Sequence, residues 1–288
     1  MVALSLIACE PSPSAGSAGE VRGTLTLGLL PDEEPEKLKL RYAPLIEAIK
    51  GKTGLAVELI LPKSYLELIE LFGAGKVDVA YFGGYTFVLA CERYGAVPLV
   101  MRDIDMRLVS HVLVHRDNNA VRELSDLRGA RFSFGSRQST SGHLMPRFYF
   151  STLGIIPEEC FSQISFSGAH DKTLRLIVDR TVDAGVANGQ IVQQILESSV
   201  DDALPLRIVW QSPACVDYVW AVQSAMSEET RRAIKELFLS LSRENEDYRR
   251  SLDGIGAAYF LPADSSDFDN LRRAIEAVRS EVETSHGE

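Results

Sequence analysis

Short apolar runs alternate with amphipathic stretches through the first hundred residues. The apolar runs have the length of β-strands and cover residues 24–30, 55–61, 77–82 and 97–101. Between them, apolar positions recur at helical spacing over residues 38–49, 64–72 and 85–93. The resulting order, β-α-β-α-β-α-β, predicts a mixed or parallel sheet flanked by helices.

The second half of the chain repeats this alternation less regularly. Strands are predicted at 109–115, 131–134, 164–166, 182–187 and 206–211, and helices after Gly142 and over 172–178, 228–243 and 268–282. Two short sequences of one kind, KVDVA at 76–80 and TVDAG at 181–185, each enter a strand just after a helix ends. We therefore expect two similar α/β units.

Composition and charge narrow the class of protein. The 288 residues are 45% hydrophobic and 24% charged, which is typical of a soluble globular chain of about two domains. Asp and Glu outnumber Lys and Arg by 40 to 30, giving a net charge of −10. This charge argues against a nucleic-acid partner, whose phosphates require Lys and Arg. A small anion can still bind where one pocket is rich in hydrogen-bond donors.

Residues 1–22 are predicted to be a targeting remnant followed by a tether. Leu6-Ile7-Ala8-Cys9 resembles a bacterial lipobox, in which the cysteine is lipidated. The apolar run is shorter than the ~20 residues that span a bilayer, and no basic stretch precedes it, so we expect the true start upstream. The alternative is a misassigned start followed by a disordered tail. The lipobox predicts an exported protein, periplasmic or at the cell surface, anchored through Cys9 and folded from near Gly23.

Three further cysteines, Cys91, Cys160 and Cys215, have no spacing typical of a zinc site. They are interpreted as partly buried thiols, with one disulfide as the alternative.

A run of hydroxyl residues is the strongest chemical feature. Ser139, Thr140 and Ser141 precede Gly142 between a predicted strand and a helix. Hydroxyls beside the unpaired N–H groups of a helix start form an anion site that needs no Lys or Arg. The alternative is an ordinary helix cap, which would explain one of the hydroxyls. Pro146 indicates that the helix either starts late or kinks.

Three other positions have the residue types of a polar site. Gly83 and Gly84 follow a strand and offer free amides, or simply make a tight turn. His170 is either a ligand or an ordinary satisfied histidine, with Asp171 capping the next helix. Asp217 lies in an apolar run, where a buried carboxylate needs partners; the alternative is a solvated loop aspartate.

No motif of enzymatic chemistry accompanies these groups. The sequence has no GxSxG elbow, P-loop, paired-carboxylate motif or metal-ligand spacing. We therefore expect a binding protein rather than an enzyme, with no cofactor and no metal.

The order of these features resembles the PhnD-like phosphonate and phosphite substrate-binding proteins of bacterial ABC transporters. The resemblance covers about residues 24–262. It is carried by Tyr65 after the second strand, VDVAYFG at 77–83, STSG at 139–142 with Pro146, Gly168-Ala169-His170, Val182-Asp183-Ala184, and Ser212-Pro213 with Asp217.

The resemblance implies an α/β periplasmic binding protein of type II, with two lobes that close about a hinge. Each lobe would hold a mixed sheet flanked by helices. The implied lobes are 23–106 with 212–288, and 107–211. The implied partners are a small oxyanion and an ABC permease, with membrane contact only through the lipid anchor. We expect a monomer.

The resemblance also implies the ligand-binding residues. The phosphorus oxyanion would be held by Ser139, Thr140, Ser141, Tyr65, His170 and Asp217, with Tyr81 and the amides after Phe82 lining the wall of the first lobe.

Two departures from the family pattern bear on the ligand. Binders of aminoalkylphosphonates have a carboxylate where this chain has Gln190 and a tyrosine near Leu108. Gln190 cannot pair with an ammonium as a carboxylate does. We therefore expect phosphite or a short phosphonate rather than 2-aminoethylphosphonate. Phosphate would be rejected if Asp217 or an apolar wall faced the fourth substituent.

The alternative function is a periplasmic sensor of an oxyanion such as arsenite that signals to a histidine kinase. Arsenite would favour a thiol ligand. Cys215, two residues from Asp217, is the candidate, and Cys91 lies further along a helix.

Overall fold

The computed structural model describes residues 23–198 and 204–285, which form two β-sheets with helices packed against them. The predicted lipobox, Cys9 and tether lie outside the described residues. The strands are β1 Thr24–Leu29, β2 Ala56–Ile60, β3 Val79–Phe82, β4 Val97–Arg102, β5 Ser110–His115, β6 Arg131–Phe134, β7 Gln163–Phe166, β8 Ala184–Asn188, β9 Leu206–Gln211, β10 Val219–Val222 and β11 Phe260–Pro262.

The helices are distributed along the whole described chain. They are α1 Pro35–Thr53, α2 Tyr65–Gly73, α3 Gly84–Tyr94, α4 Met145–Thr152, α5 Pro157–Cys160, α6 His170–Val178, α7 Gly189–Ser198, α8 Glu228–Leu239, α9 Glu246–Gly254 and α10 Asp269–Ser285. Short 3₁₀ turns lie at Asp105–Arg107, Leu124–Leu127 and Ser265–Phe268.

Each sheet is mixed, as the sequence predicts. The first has the order β11-β4-β10-β3-β1-β2, with β1 parallel to β2 and β3 and with β10 antiparallel to both β3 and β4. The second has the order β7-β6-β8-β5-β9, with β5 antiparallel to β8 and β9. We call the first sheet with its helices lobe 1 and the second with its helices lobe 2. This is the predicted two-lobed type II fold.

The chain crosses between the lobes in two neighbouring segments, before β5 and after β9. There Leu108 and Cys215 pair as an antiparallel bridge, and each amide N–H donates to the other's carbonyl oxygen at 2.9 Å. This short ladder is the structural counterpart of the expected hinge.

Each lobe has an apolar core of its own. Lobe 1 buries large side chains such as Phe72, Phe82 and Trp220, and lobe 2 buries Phe132 and Phe150. Replacing one of these buried aromatic residues by alanine typically lowers the free energy of unfolding by about 3–5 kcal/mol. The two cores therefore stabilise each lobe separately. The space between the lobes is called the cleft, and the residues that line it are held in place by these cores.

Three local predictions need correction. The helix predicted over 228–243 ends at Leu239, because Ser242 pairs with Tyr259 and Asn245 begins a further helix, α9. Asp171 is not the cap of α6, because the helix starts at His170 and Asp171 is its second residue. The strands β10 and β11 were not predicted; both pair with β4, which is distant in sequence.

The structure decides two of the alternatives left open by the sequence. The helix containing Pro146 starts late, at Met145, so the proline occupies its first turn, where no N–H is needed. Cys91, Cys160 and Cys215 are free thiols. Within the described ranges, no helix is both long and apolar enough to cross a membrane.

Candidate oxyanion-binding site

The hydroxyl residues form a tight turn between β6 and α4. One turn of π-helix, Thr140–Leu144, follows Ser139, whose Oγ accepts the amide N–H of Gly142 at 3.0 Å. A Cβ at Gly142 would lie 2.9 Å from that Oγ and 3.1 Å from Cε1 of His170. Glycine is therefore required for His170 to approach the turn. We call residues 139–142 the hydroxyl turn.

Two hydroxyls of this turn accept hydrogen bonds, one from lobe 1 and one from lobe 2. Thr140 Oγ1 accepts the amide N–H of Tyr85 at 2.9 Å, and Ser141 Oγ accepts Nδ2–H of Asn188 at 3.2 Å. A hydroxyl that accepts in this way still has its own proton to donate. Both side chains are at most 2% exposed. The turn thus presents O–H donors toward the cleft, which an ordinary cap does not do.

His170, the first residue of α6, adds a fixed N–H donor. Its Nδ1 accepts the amide N–H of Asn188 at 3.2 Å, which places the ring proton of the neutral form on Nε2. Nε2 is buried and has no hydrogen-bond partner among the described residues. Burial lowers the pKa of His170 to about 4, so the ring is neutral near pH 7. It is not an ordinary satisfied histidine.

Tyr65 contributes a second unpartnered donor, from lobe 1. It is the first residue of α2, which Ser64 caps by accepting the amide N–H of Glu67 at 3.1 Å. The Tyr65 hydroxyl is buried without a hydrogen-bond partner in the described chain. Burial raises its pKa well above the ordinary value, and the nearby hydroxyl of Ser139 lowers it by a smaller amount. The phenol is therefore neutral and able to donate.

Asp217 faces the hydroxyl turn and is 2% exposed, so it is not a solvated loop residue. Its Oδ1 accepts the amide N–H of Gly84 at 2.9 Å. Burial raises the pKa of Asp217 to about 6, while the hydroxyls of Thr140 and Ser141 and the Gly84 amide act in the opposite direction. A carboxyl group with this pKa exchanges its proton near neutral pH and can share one with an anionic ligand.

The predicted amides after Phe82 also point into the cleft. Gly84 and Tyr85 begin α3, and their N–H groups donate to Asp217 and to Thr140 respectively. The second of these bonds joins lobe 1 to lobe 2. The start of α3 therefore does more than make a tight turn, since it supplies donors and positive partial charge to the site.

Tyr81 lies in an adjoining region of the lobe interface. Its ring stacks on Tyr218 with centroids 5.1 Å apart, and the Arg102 guanidinium lies 5.4 Å and 5.3 Å from the two ring centroids. These groups and Gln190 of lobe 2 line a small cavity of about 10 Å³. That is room for roughly one water molecule. The Tyr81 hydroxyl is buried and without a hydrogen-bond partner in the described chain.

The two positions of departure from the family pattern are also at the lobe interface. Gln190 lies in the first turn of α7, and its Oε1 is 3.4 Å from Nη2 of Arg102. Leu108 is buried in the hinge ladder with Cys215. Burial raises the pKa of the Cys215 thiol well above its ordinary value, so this group is not a thiolate at neutral pH.

Sequence reasoning missed two buried residues next to the site. Asp32 accepts the Tyr218 hydroxyl at 2.7 Å through Oδ2, and its carbonyl oxygen accepts the His170 amide N–H at 2.9 Å. Burial raises the pKa of Asp32 to about 7. Asn188 contacts both His170 and Ser141. The sequence could have indicated Asn188, because a polar residue directly after the apolar strand predicted over 182–187 lies at the strand's carboxyl end, where ligands bind.

The structure thus brings six of the seven predicted ligand-binding residues around one part of the cleft and places Tyr81 beside it. Within the described ranges, no group of three or more His, Cys, Asp or Glu side chains has the arrangement of a metal site.

The chain is similar to known proteins over most of its length. Residues 27–268 match the family described as "ABC transporter, phosphonate, periplasmic substrate-binding protein". A probable ABC transporter phosphite-binding protein, PhnD1 of Prochlorococcus marinus, is 27% identical over 258 residues, which is 86% of this chain and 87% of that protein. The phosphate-import protein PhnD of Mycolicibacterium smegmatis is 28% identical over 97% of this chain and 94% of its own length.

Among solved structures, PhnD1 of Prochlorococcus marinus in complex with methylphosphonate superposes with a TM-score of 0.83. It is 26% identical, over 89% of this chain and 98% of that structure. A histidine kinase sensor domain superposes with a TM-score of 0.58 at 18% identity, over 82% of this chain and 97% of that one, which shows a shared fold alone. The family match spans most of the chain, and the chain therefore belongs to the periplasmic substrate-binding proteins of phosphonate ABC transporters.

Proposed function

We propose that this protein captures a phosphite ion or a short phosphonate in the cleft between its lobes and delivers it to an ABC permease. The proposed ligand-binding residues are Tyr65, Ser139, Thr140, Ser141, His170 and Asp217, with Tyr81 at the edge of the site. One observation carries the proposal: several buried, neutral donors surround one carboxyl group, and two of them have no partner among the described residues.

Neutral donors suit a small phosphorus oxyanion. Burying a hydroxyl, phenol or imidazole N–H costs free energy, and that cost is offset only when the group donates a hydrogen bond. The oxygens of phosphite or a phosphonate accept such bonds, and no buried cation is needed to hold them. The Tyr65 hydroxyl and His170 Nε2–H supply the two unpartnered donors, from opposite lobes. A ligand that accepts from both would hold the cleft closed.

Asp217 gives the site a means of rejecting phosphate. A Cβ placed on Gly83 would lie 3.3 Å from Asp217 Oδ1 and 3.3 Å from Leu30 Cδ2, so an acid and an apolar group flank the same point. A P–OH proton of a monoanionic ligand can be donated to Asp217. The fourth substituent, hydrogen or methyl, can contact apolar groups such as Leu30. A further anionic oxygen there would meet repulsion or lack a partner.

The limited space next to the site, at Tyr81, favours a short ligand. The cavity beside Tyr81 has room for about one water molecule and is closed by Gln190 and Arg102. An aminoethyl chain would need both space and a carboxylate partner, and the amide of Gln190 provides only a neutral contact. We therefore favour phosphite or methylphosphonate, the ligand named for the crystal structure of the Prochlorococcus relative, over 2-aminoethylphosphonate.

The setting of the protein follows from its family. A periplasmic binding protein acts outside the cytoplasm and binds rather than transforms its substrate. We further propose that Cys9 is lipidated, that the chain is a monomer, and that the lobes correspond to 23–106 with 212–288 and to 107–211. Arsenite would favour a thiol ligand, and burial raises the pKa of the Cys215 thiol, which lowers its reactivity and does not favour the sensor.

A calorimetric titration of the full chain with a ligand panel tests this function. The panel is phosphite, methylphosphonate, 2-aminoethylphosphonate, phosphate and arsenite, with and without reductant. We expect tight binding of phosphite or methylphosphonate and weak binding of the other three. Tight phosphate binding would contradict the role given to Asp217. Binding of arsenite alone, lost after thiol oxidation, would indicate the sensor instead.

A further inference from the structure

Asn188 lies at the carboxyl end of β8, between His170 and the hydroxyl turn. It is completely buried. Its backbone N–H donates to His170 Nδ1 at 3.2 Å, and its side-chain Nδ2–H donates to Ser141 Oγ at 3.2 Å. One residue outside the predicted ligand shell therefore contacts two residues within it.

These two contacts determine the position of the ring proton of His170 and the direction of the hydroxyl proton of Ser141. Donation to Nδ1 leaves the neutral His170 ring with its proton on Nε2, the atom that has no partner in the described chain. Donation to Ser141 Oγ occupies the acceptor side of that hydroxyl, so the Ser141 proton turns away from Asn188. Without these contacts, either group could present an acceptor lone pair to an anion, and that orientation would repel it.

The Asn188 side chain itself cannot turn over. Its Oδ1 accepts the amide N–H groups of Gln190 at 2.9 Å and Ile191 at 3.2 Å, at the start of α7. Because Oδ1 is held by two donors, Nδ2 must face Ser141. The cap of α7 thus fixes the direction of the side-chain amide.

From this geometry we propose that Asn188 is a positioning residue of the oxyanion site, which orients the donor protons of His170 and Ser141 toward the ligand. The proposal rests on the proposed function. A simpler role, capping α7 alone, would require only Oδ1 and leave the two donor contacts without consequence for binding.

The substitution Asn188→Asp separates the two roles. Asp caps a helix as well as Asn does, but an ionised carboxylate has no proton to donate. The Ser141 hydroxyl would then donate to residue 188 instead of to the ligand. We expect methylphosphonate affinity to fall by about ten- to a hundredfold, since a hydrogen bond to a charged partner is lost. Asp217 faces the Ser141 hydroxyl and, with a pKa raised by burial to about 6, titrates in both proteins, so each comparison is made at one pH. The loss relative to the unmodified protein should be smaller at pH 5.5 than at pH 8, because a protonated carboxyl group at position 188 can donate.

A double-mutant cycle with Ser141→Ala tests whether the effect passes through Ser141. In the Ser141→Ala background, Asn188→Asp should lower affinity by a clearly smaller factor than in the unmodified protein, the remaining loss being repulsion between the added carboxylate and the anion. The matched control is Asn245→Asp, in which an exposed asparagine caps α9 by accepting the amide N–H of Asp247 at 3.0 Å. That exchange should leave affinity unchanged. Full additivity of the Asn188 and Ser141 losses would overturn the proposal.

Nitrogen NMR of labelled histidine tests the other contact on the unmodified protein. We expect His170 to show the neutral tautomer protonated on Nε2, with its signal assigned by its loss in His170→Gln. A proton on Nδ1 would overturn the assignment even if the Asp variant did not fold. Failure of the proposed function would be seen separately, as absence of phosphite and methylphosphonate binding by the unmodified protein.

Discussion

The amide N–H of His170 in lobe 2 donates to the carbonyl oxygen of Asp32 in lobe 1 at 2.9 Å. The bond joins the start of α6 to the loop after β1. A second bond lies beside it, from the Glu34 amide N–H to Asp171 Oδ2 at 3.0 Å. His170, which we propose as a ligand donor, thus also belongs to a contact between the lobes, and we expect binding and closure to be coupled there.

Removal of Asp171 is expected to weaken this closure. In Asp171→Ala the Glu34 amide loses its lobe 2 acceptor while His170 is retained. We expect methylphosphonate to dissociate faster and affinity to fall about three- to tenfold, the value of one modest hydrogen bond. Stopped-flow measurement of the rate of methylphosphonate dissociation checks this expectation. The control is Asp179→Ala, an exposed aspartate at the other end of α6. An equal effect from both variants would refute the closure contact.

The unpartnered hydroxyl of Tyr65 predicts opposite effects on stability and on binding. Tyr65→Phe removes a buried donor that lacks a partner, so the unliganded protein should be as stable or more stable by up to about 1 kcal/mol. Ligand affinity should fall by about tenfold or more, because the ligand loses a donor. Chemical denaturation and titration measure the two quantities.

The matched control is Tyr94→Phe, in which the lost hydroxyl donates to exposed Glu70 at 2.8 Å. It should leave affinity unchanged. Unchanged affinity in Tyr65→Phe would place that hydroxyl outside the ligand site.

The raised pKa of Asp32 predicts how stability depends on pH. Burial, and next the adjacent Glu33, raise this pKa from the ordinary 3.8 to about 7, while Tyr218, Arg41 and Arg102 act in the opposite direction. Between these two pH values the folded protein holds a proton that the unfolded chain has released. The resulting stability is fully present below about pH 4 and is lost as the pH rises toward 7.

Asp32→Asn should therefore reduce the fall in the free energy of unfolding between pH 4 and 7. Asn still accepts the Tyr218 hydroxyl but cannot ionise. We expect this variant to be more stable than the unmodified protein at pH 8 by about 1–3 kcal/mol. Part of the slope should remain, because burial also raises the pKa of Asp217, to about 6. Chemical denaturation of both proteins between pH 4 and 8 measures the free energy of unfolding. If it falls equally with pH in both proteins, the prediction is contradicted.

Much of the fold was predictable because its signals are local. Apolar runs and helix periodicity gave the alternation in both halves of the chain, and Ser64 was correctly expected to cap α2. The strands β10 and β11 were missed, although predicted strands such as 164–166 are as short. Their place depends on pairing with β4, a distant part of the sequence.

The site was predictable only in part, for a related reason. The hydroxyl turn is contiguous in sequence, and its residue types alone indicate an anion site. The roles of Tyr65, His170 and Asp217 came from the family resemblance, since no spacing links such distant positions. Asp32 was missed because its importance lies in two long-range contacts. One is with Tyr218 within lobe 1, and the other is with His170 across the lobe interface.

We propose above all that the neutral donors around the hydroxyl turn bind a phosphorus oxyanion. The most direct test is calorimetric titration of methylphosphonate into the unmodified protein, Ser139→Ala and His170→Ala at pH 7. We predict one site per chain in the unmodified protein and an affinity at least about tenfold lower in each variant. If both variants bind methylphosphonate as tightly as the unmodified protein, the ligand site lies elsewhere and the account is wrong.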